Sequence, residues 1–386
     1  MYFCVRYYYL KRLSLKLKVN SSMIRIYHLI TIIVLLFGKP LFTNSQIVYH
    51  EASHFPVLGK ITNHTETRYE RLPVYLKDNV SRNAIWNLGK NTSGLVIRFN
   101  SNSTSISAKW EVLEDVSMNH FTETGIKGLD LYAWENHEWK FVNTARPTGK
   151  ETEQIIISTM TPKSREFMLF LPLYDGITNL SIGVDSLSNI SKPKTKIIAT
   201  KNPIVVYGTS ITQGGCATRP GMSYTNILTR WMNQEFINLG FSGNGQLDYE
   251  IAKVMAKRKD ASLFILDFIP NVTDKQIKNK TKNFVEIIRK ENPKTPILLV
   301  ESIIFPHAVF DTEMANLLSV KNSTLRKQYK VMKTLGDDNL YYLSSKNLVN
   351  KDGEGTVDGI HLTDLGFQHF AKTLLNKIKD ILYKNR

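Results

Sequence analysis

Cysteine is nearly absent from this chain: 386 residues contain two, Cys4 and Cys216. If the basic leader that opens the sequence is removed, Cys216 stands alone. No intramolecular disulfide is then expected, and stability has to come from buried apolar surface. No Cys/His/Asp cluster has metal-ligand spacing, and the glycine-rich turns match neither a phosphate-binding loop nor a dinucleotide fingerprint, so no cofactor and no metal are expected. Beyond the leader no apolar run is long enough for stable membrane insertion, and none outlines a long apolar tunnel.

Acidic residues are missing altogether from residues 1–45, which carry seven Lys or Arg. Within them, Met23-Ile-Arg-Ile-Tyr-His-Leu-Ile-Thr-Ile-Ile-Val-Leu-Leu-Phe37 has a short basic start followed by an apolar core, and Thr43-Asn-Ser45 places small residues before Gln46. That pattern is a signal peptide, with Met23 as the expected initiator and a secreted, periplasmic or cell-envelope product. The rival, an uncleaved anchor, is disfavoured by the shortness of the run and by Lys39-Pro40. Without residues 1–45, Lys plus Arg falls from 50 to 43 against 34 acids, and the net charge drops from +16 to +9. The lysines that remain are interspersed with acids, as in Lys253-Val-Met-Ala-Lys-Arg-Lys-Asp260, so they read as solvated helix faces and no nucleic-acid partner is expected. Asn-x-Ser/Thr triplets at Asn63, Asn91, Asn102, Asn179 and Asn189 follow from an Asn-rich composition.

The length suggests two domains, and the 42% apolar content is enough for sizeable cores. Over residues 46–200 short alternating or apolar runs recur between polar turns: Leu95–Phe99, Ser105–Trp110, Gly128–Trp134, Trp139–Val142, Gln154–Ser158, Glu166–Leu171 and Asn179–Val184. This spacing predicts an all-β sandwich or jelly roll. Trp86, Trp110, Trp134 and Trp139 fall in it, either as core or as a sugar-stacking platform. Over residues 201–386 strands at Ile204–Tyr207, Phe236–Leu239, Leu263–Phe268, Ile297–Glu301 and Leu340–Leu343 alternate with helical segments. That alternation predicts a three-layer α/β/α parallel sheet whose ligands bind beyond the carboxyl ends of its strands.

Chemistry-bearing residues fall at those ends. Pro203-Ile-Val-Val-Tyr-Gly-Thr-Ser210-Ile-Thr-Gln-Gly-Gly215 is an apolar strand that breaks into a Gly/Ser/Thr turn, and Asp358-Gly-Ile-His361 lies near the other end of the chain. A nucleophilic serine needs a base within hydrogen-bond reach and a carboxylate that orients it. The three-residue spacing would put Asp358 and His361 on one face of a helical turn. Phe236–Gly245 ends in a glycine-rich turn that offers backbone N–H groups, and Leu263–Asn271 ends in an amide side chain, donors suited to an oxyanion.

This four-block layout resembles the SGNH (GDSL-type) hydrolases. The resemblance assigns Ser210 as nucleophile and His361 as base with Asp358 as its orienter, and it makes Ser210, Gly243 and Asn271 the oxyanion donors. The first block reads Gly-Thr-Ser here in place of Gly-Asp-Ser, and the third reads Asp267-Phe-Ile-Pro-Asn271 without the usual Gly-x-Asn-Asp. Gly128-Leu-Asp-Leu-Tyr132 is similar to the Gly-x-Asp-Leu-Tyr signature of a β-rich domain that precedes the hydrolase in one bacterial group. The resemblances imply a flavodoxin-like catalytic domain over 201–386 behind a β-domain over 46–200. They also imply a serine esterase acting on short acyl esters, chiefly acetyl esters of a glycan or a small molecule.

Further assignments stay open at this stage. The same residues would serve a phospholipid-type acetylhydrolase, a lysophospholipase or a thioesterase, and an idle hydrolase fold would serve as a secreted carbohydrate-binding protein. Arg219 and Tyr224 follow the nucleophile turn closely enough to contact substrate, although Arg219 fits a structural salt bridge equally well. Cys216 reads as a small packing residue.

Overall fold

The computed structural model describes residues 46–194, 202–350 and 352–383. The leader expected over residues 1–45, with Cys4, and the expected domain boundary at 200/201 lie outside these residues. The described residues from Ile47 onward form one compact unit. No helix of the described residues is long and apolar enough to cross a membrane.

Among the described residues ten strands build the N-terminal part: β1 Ile47–Glu51, β2 Val57–Leu58, β3 Val96–Ser101, β4 Ile106–Val112, β5 Leu129–Glu135, β6 Glu138–Ala145, β7 Glu151–Ile157, β8 Arg165–Phe170, β9 Ile177–Asp185 and β10 Ile190–Ser191. They pair antiparallel in two sheets, one ordered β1-β9-β4-β7 and the other β10-β3-β8-β5-β6 with β2 added on β3. Between the sheets lies a core made by alternate residues: Ile106, Ala108, Trp110 and Val112 from one sheet, Leu95, Ile97, Phe99, Leu129, Leu131, Phe167 and Leu169 from the other. A strand's side chains alternate between faces, so Asp130 and Tyr132, which interleave with Leu129 and Leu131, must leave the second sheet on its opposite side. That side is buried too, with Val96, Tyr132, Trp139, Met168 and Phe170 forming a second, smaller apolar layer.

Five further strands, β11 Ile204–Gly208, β12 Phe236–Gly240, β13 Leu263–Asp267, β14 Ile297–Val300 and β15 Leu340–Leu343, form a parallel sheet ordered β12-β11-β13-β14-β15. Every residue of the first four is buried, as a parallel sheet covered on both faces requires. Val205, Tyr207, Ile237, Leu239, Phe264 and Leu266 pack against helices Tyr249–Ala256, Asp274–Glu291 and Thr312–Thr334. On the other face Ile204, Val206, Phe236, Leu263 and Ile265 meet helices Tyr224–Met232 and Asp364–Tyr383. The strand order reverses at β11, and ligands of such sheets bind beyond the strand ends at that point.

Trp86 departs from the expected sandwich. Together with Ile61, Leu72, Leu76 and Ile85 it packs in the core of the parallel sheet, from a helix over Asn83–Gly89. Irregular chain between β2 and β3 therefore belongs to the other half by packing. From the same stretch Arg71 enters fully buried and donates to the carbonyls of Leu88, Asn91, Asn238 and Gly240, at 2.6–3.0 Å.

The second sheet's outward residues explain the Gly-x-Asp-Leu-Tyr block. Arg219 Nη1 donates to Asp130 Oδ2 (2.6 Å) and to the Tyr132 hydroxyl (2.7 Å), Gly221 N–H adds a bond to the same carboxylate oxygen (2.8 Å), and Thr144 donates to Oδ1 (2.7 Å). The Arg219 guanidinium also stacks 3.9 Å from the centre of the Phe141 ring, and that of Arg230 4.1 Å from the centre of Tyr132. Asp130 has no solvent exposure, and breaking a buried pair by removing one partner leaves an uncompensated charge. Arg219→Ala is expected to lower unfolding free energy by about 3–5 kcal/mol in urea titration. The double variant Asp130→Asn/Arg219→Ala should lose less than the sum of the two single losses, because the surviving partner is no longer left charged and alone.

Candidate active site

Ser210 begins a four-residue helical turn, Ser210–Gln213, directly after β11. Thr209 caps it through Oγ1, which accepts from the Ile211 N–H (3.3 Å), and left-handed Gly214 ends it. The approach to the strand is too close for a side chain at Gly208, where a Cβ would lie 2.0 Å from Thr212 Oγ1 and 2.6 Å from the Asp267 carbonyl oxygen. The Ser210 carbonyl is held by the N–H groups of Gly214 (2.9 Å) and Gly215 (2.8 Å) and by the Tyr174 hydroxyl (3.3 Å). The backbone of residue 210 is thus fixed from both halves of the molecule.

His361 completes a contact chain: Nε2 lies 2.9 Å from Ser210 Oγ, and Nδ1 lies 2.7 Å from Asp358 Oδ2. The segment is not the helical turn expected from the three-residue spacing. Asp358 Oδ1 accepts from the N–H groups of Ile360 (3.0 Å) and His361 (2.8 Å), closing an Asx-type turn around Gly359 at φ +84°, and a bridge between Thr356 and Leu362 pins its base. A Cβ on Gly359 would also press on His307 Nδ1 at 2.8 Å. Burial alone would raise the Asp358 carboxyl, but hydrogen bonds from the His361 ring and from the His361 and Ile360 N–H groups outweigh it and hold the group at about 2. An ionised Asp358 keeps the proton of a neutral imidazole on Nδ1 and leaves Nε2 facing the serine as an acceptor.

Gly243 and Asn271 sit past the ends of the two strands that flank β11. Gly243 is exposed in a turn at φ +66°, with nothing within 4 Å of where a Cβ would be. The neighbouring Ser242 N–H is bound by Gln213 Oε1 (2.9 Å). Asn271 ends the short turn Ile269–Asn271 after β13, and its Oδ1 accepts from the Gly245 N–H (3.2 Å). That bond ties the two turns to each other and leaves the carboxamide nitrogen as the end able to donate.

Of the two residues expected near substrate, Tyr224 is turned away from solvent and Arg219 takes the salt-bridge alternative. Tyr224 is completely buried, its hydroxyl 2.9 Å from Thr212 Oγ1 and donating to Asp267 Oδ2 (3.1 Å), because it sits on the face of helix Tyr224–Met232 that packs against the sheet. Arg219 is bound by Asp130 and Tyr132 and holds the sandwich in place. Sequence reading missed Gln213, whose fully buried side chain also donates to Asn91 Oδ1 (3.0 Å) and the Leu173 carbonyl (3.1 Å). It also missed Asp267, which accepts from Thr212 Oγ1 (3.0 Å) beneath the nucleophile turn. Neither has a signal beyond its residue type, because their partners are distant in the chain.

Burial pushes the Asp267 carboxyl up to about 7, against the opposing pull of its hydrogen bonds from Thr212 and Tyr224. In the unfolded chain an aspartate ionises near about 3.9. Between about pH 4 and pH 7 the folded state therefore binds the extra proton, and this group's contribution to stability declines as pH rises through that window. Melting temperatures taken from pH 5 to 8 should fall more steeply for the parent than for Asp267→Asn.

The fold and the strand-end serine define an SGNH-type hydrolase. Residues 201–379 match the GDSL-like Lipase/Acylhydrolase family and residues 47–190 match the N-terminal GxDLY domain of SGNH-hydrolase-type esterases. A protein described as a GDSL-like lipase, from Bacteroides ovatus, has a solved structure that superposes with a TM-score of 0.83 at 36% identity, covering 87% of this chain and 98% of that one. This chain belongs to the GDSL-like lipase/acylhydrolase family. The fold is shared, at 16% identity and a TM-score of 0.72, by a salicylyl-acyltransferase from a tetracycline biosynthetic pathway, over 87% of this chain and 97% of that one. An acetyl xylan esterase from Butyrivibrio proteoclasticus shares it at 13% identity and a TM-score of 0.51, over 86% and 98%. No curated protein matches the sequence.

Proposed function

We propose that the chain is a secreted serine esterase that removes short acyl groups, acetyl above all, from carbohydrate. The observation that carries the reading is the continuous chain Ser210 Oγ, His361 Nε2, His361 Nδ1, Asp358 Oδ2, with contacts of 2.9 and 2.7 Å. His361 Nε2 takes the Ser210 proton as Oγ attacks the ester carbonyl. The Ser210 N–H, the Gly243 N–H and the Asn271 carboxamide hold the oxygen that gains negative charge. His361 then hands its proton to the departing sugar hydroxyl, and the same imidazole activates the water that frees the acid from Ser210. Asp358 stays ionised throughout and stabilises the imidazolium in each half-reaction.

Acetyl as the acyl group agrees with the absence of an apolar tunnel in the sequence, and carbohydrate as the alcohol agrees with the fold shared with the acetyl xylan esterase. Export agrees with the basic and apolar leader before Gln46. Ser210→Ala should lower turnover of p-nitrophenyl acetate by at least about 10⁴-fold, and Asn271→Ala by about 10²–10³-fold. A parent protein that is not labelled by a fluorophosphonate probe at Ser210 would instead be an idle, ligand-binding relative. Acetate release measured over a panel of acetylated polysaccharides identifies the alcohol, and faster turnover of phospholipid-type acetyl esters would overturn the carbohydrate assignment.

A further inference from the structure

Beside the Ser210–His361–Asp358 chain lies a second imidazole and a thiol. His120, in the loop of the β-domain just before helix Glu123–Lys127, puts its ring 5.8 Å from that of His361, and Cys216 follows the nucleophile turn. One ligand atom from each of His120, Cys216 and His361 lies within 4.8 Å of the other two. They come from three distant parts of the sequence, so no spacing motif could announce them. Cys216 is held at φ +71°, a conformation that ordinarily selects glycine.

We propose that His120, Cys216 and His361 bind one borderline-soft divalent cation, zinc in chemical class, and that the bound ion switches ester hydrolysis off. The second half of this statement rests on the serine-esterase reading. Imidazole and thiolate are both zinc ligands, and three protein donors leave a fourth position for water, at about 2.0–2.1 Å to nitrogen and about 2.3 Å to sulfur. Ligand atoms around such an ion stand about 3.5 Å apart, so closure asks for an inward shift of about 1 Å. The exposed His120 loop can supply it.

Each donor has a lone pair to give. His120 Nδ1 is paired with Asn119 Oδ1 (2.8 Å), leaving Nε2. His361 Nδ1 is held by Asp358, leaving the Nε2 that faces Ser210. The result is a carboxylate–histidine–metal relay in which Asp358 fixes the ligand's tautomer as it fixes the base's. The Cys216 thiol, raised to about 12 by burial and secondarily by the Asp358 carboxylate, releases its proton to solvent as the metal–sulfur bond forms. His361 Nε2 cannot accept from Ser210 Oγ and ligate a cation at once, so occupancy and catalysis exclude each other. Exposed His120 offers the ion's path in.

The test uses the full chain after EDTA treatment and dialysis. Calorimetric titration of Ser210→Ala with zinc chloride should show one ion per chain, bound more tightly than by the parent because the competing hydroxyl is gone. His120→Ala and Cys216→Ala should keep the parent's zinc-free rate on p-nitrophenyl acetate. Each should lose zinc inhibition by more than the about 10–100-fold that removing an outer partner costs a metal site. EDTA should restore the parent's rate. An unchanged melting temperature for His120→Ala, a surface change, confirms that the variant is folded. Absence of zinc binding to Ser210→Ala, equal inhibition of parent and both variants, or a rate that rises with zinc would each overturn the proposal. A parent that hydrolyses no ester yet binds one zinc through His120 and Cys216 upholds the ion site and removes only the esterase reading.

Discussion

Asp130, which no water reaches, is met by the guanidinium of Arg219 at 2.6 Å. The first belongs to a sandwich strand and the second to the segment that leaves the nucleophile turn. Because the guanidinium is fixed by two oxygens and an aromatic face, the chain after Cys216 is set in position from outside its own domain. The Ser210 turn is then bounded on one side by β11 and on the other by this anchor. A serine and a histidine separated by 151 residues can meet at hydrogen-bond distance only on a frame of that kind.

The parallel sheet supplies the rest of that frame. With β11 between β12 and β13, three adjacent strands are followed by a hydroxyl, a glycine-rich turn and a carboxamide, and the chain after β15 brings the imidazole of His361 to that hydroxyl. The bond from Gly245 to Asn271 and the one from Ser242 to Gln213 lock these turns to each other. Preorganised donors cost no rearrangement when charge develops on the reacting oxygen, which is where such a site gains most of its rate.

Much of this was legible because periodicity and residue type carry it. The five strands of the parallel sheet and the antiparallel runs of the sandwich follow from apolar patterning, and the meeting of Ser210, His361 and Asp358 agrees with the chemical need of a serine for a base and an orienter. What patterning could not show was where irregular chain packs. Trp86 looks like any sandwich tryptophan, yet it lies on the parallel sheet, since nothing local distinguishes one core from another. Tyr224 was read by its nearness in sequence to Ser210, but helix phase turns it inward. The 358–361 spacing suggested a helical turn, whereas an aspartate binding its own downstream N–H groups next to a left-handed glycine makes a tighter loop with the same outcome for the side chains. Gln213, Asp267 and His120 owe their surroundings to long-range packing and leave no local trace.

Arg71 binds the two halves more deeply than any surface contact does. Its guanidinium reaches the carbonyls at the end of β12 from a stretch of chain that lies between two sandwich strands. Cutting the gene at the obvious seam between β10 and β11 would therefore strip the catalytic half of the wedge that seals its sheet, and expose bare peptide oxygens together with the ring of Phe241 that the guanidinium covers. Such a polypeptide should be insoluble. The two halves therefore share one set of hydrogen bonds to backbone carbonyls, and the parallel sheet is not complete without the other half's chain.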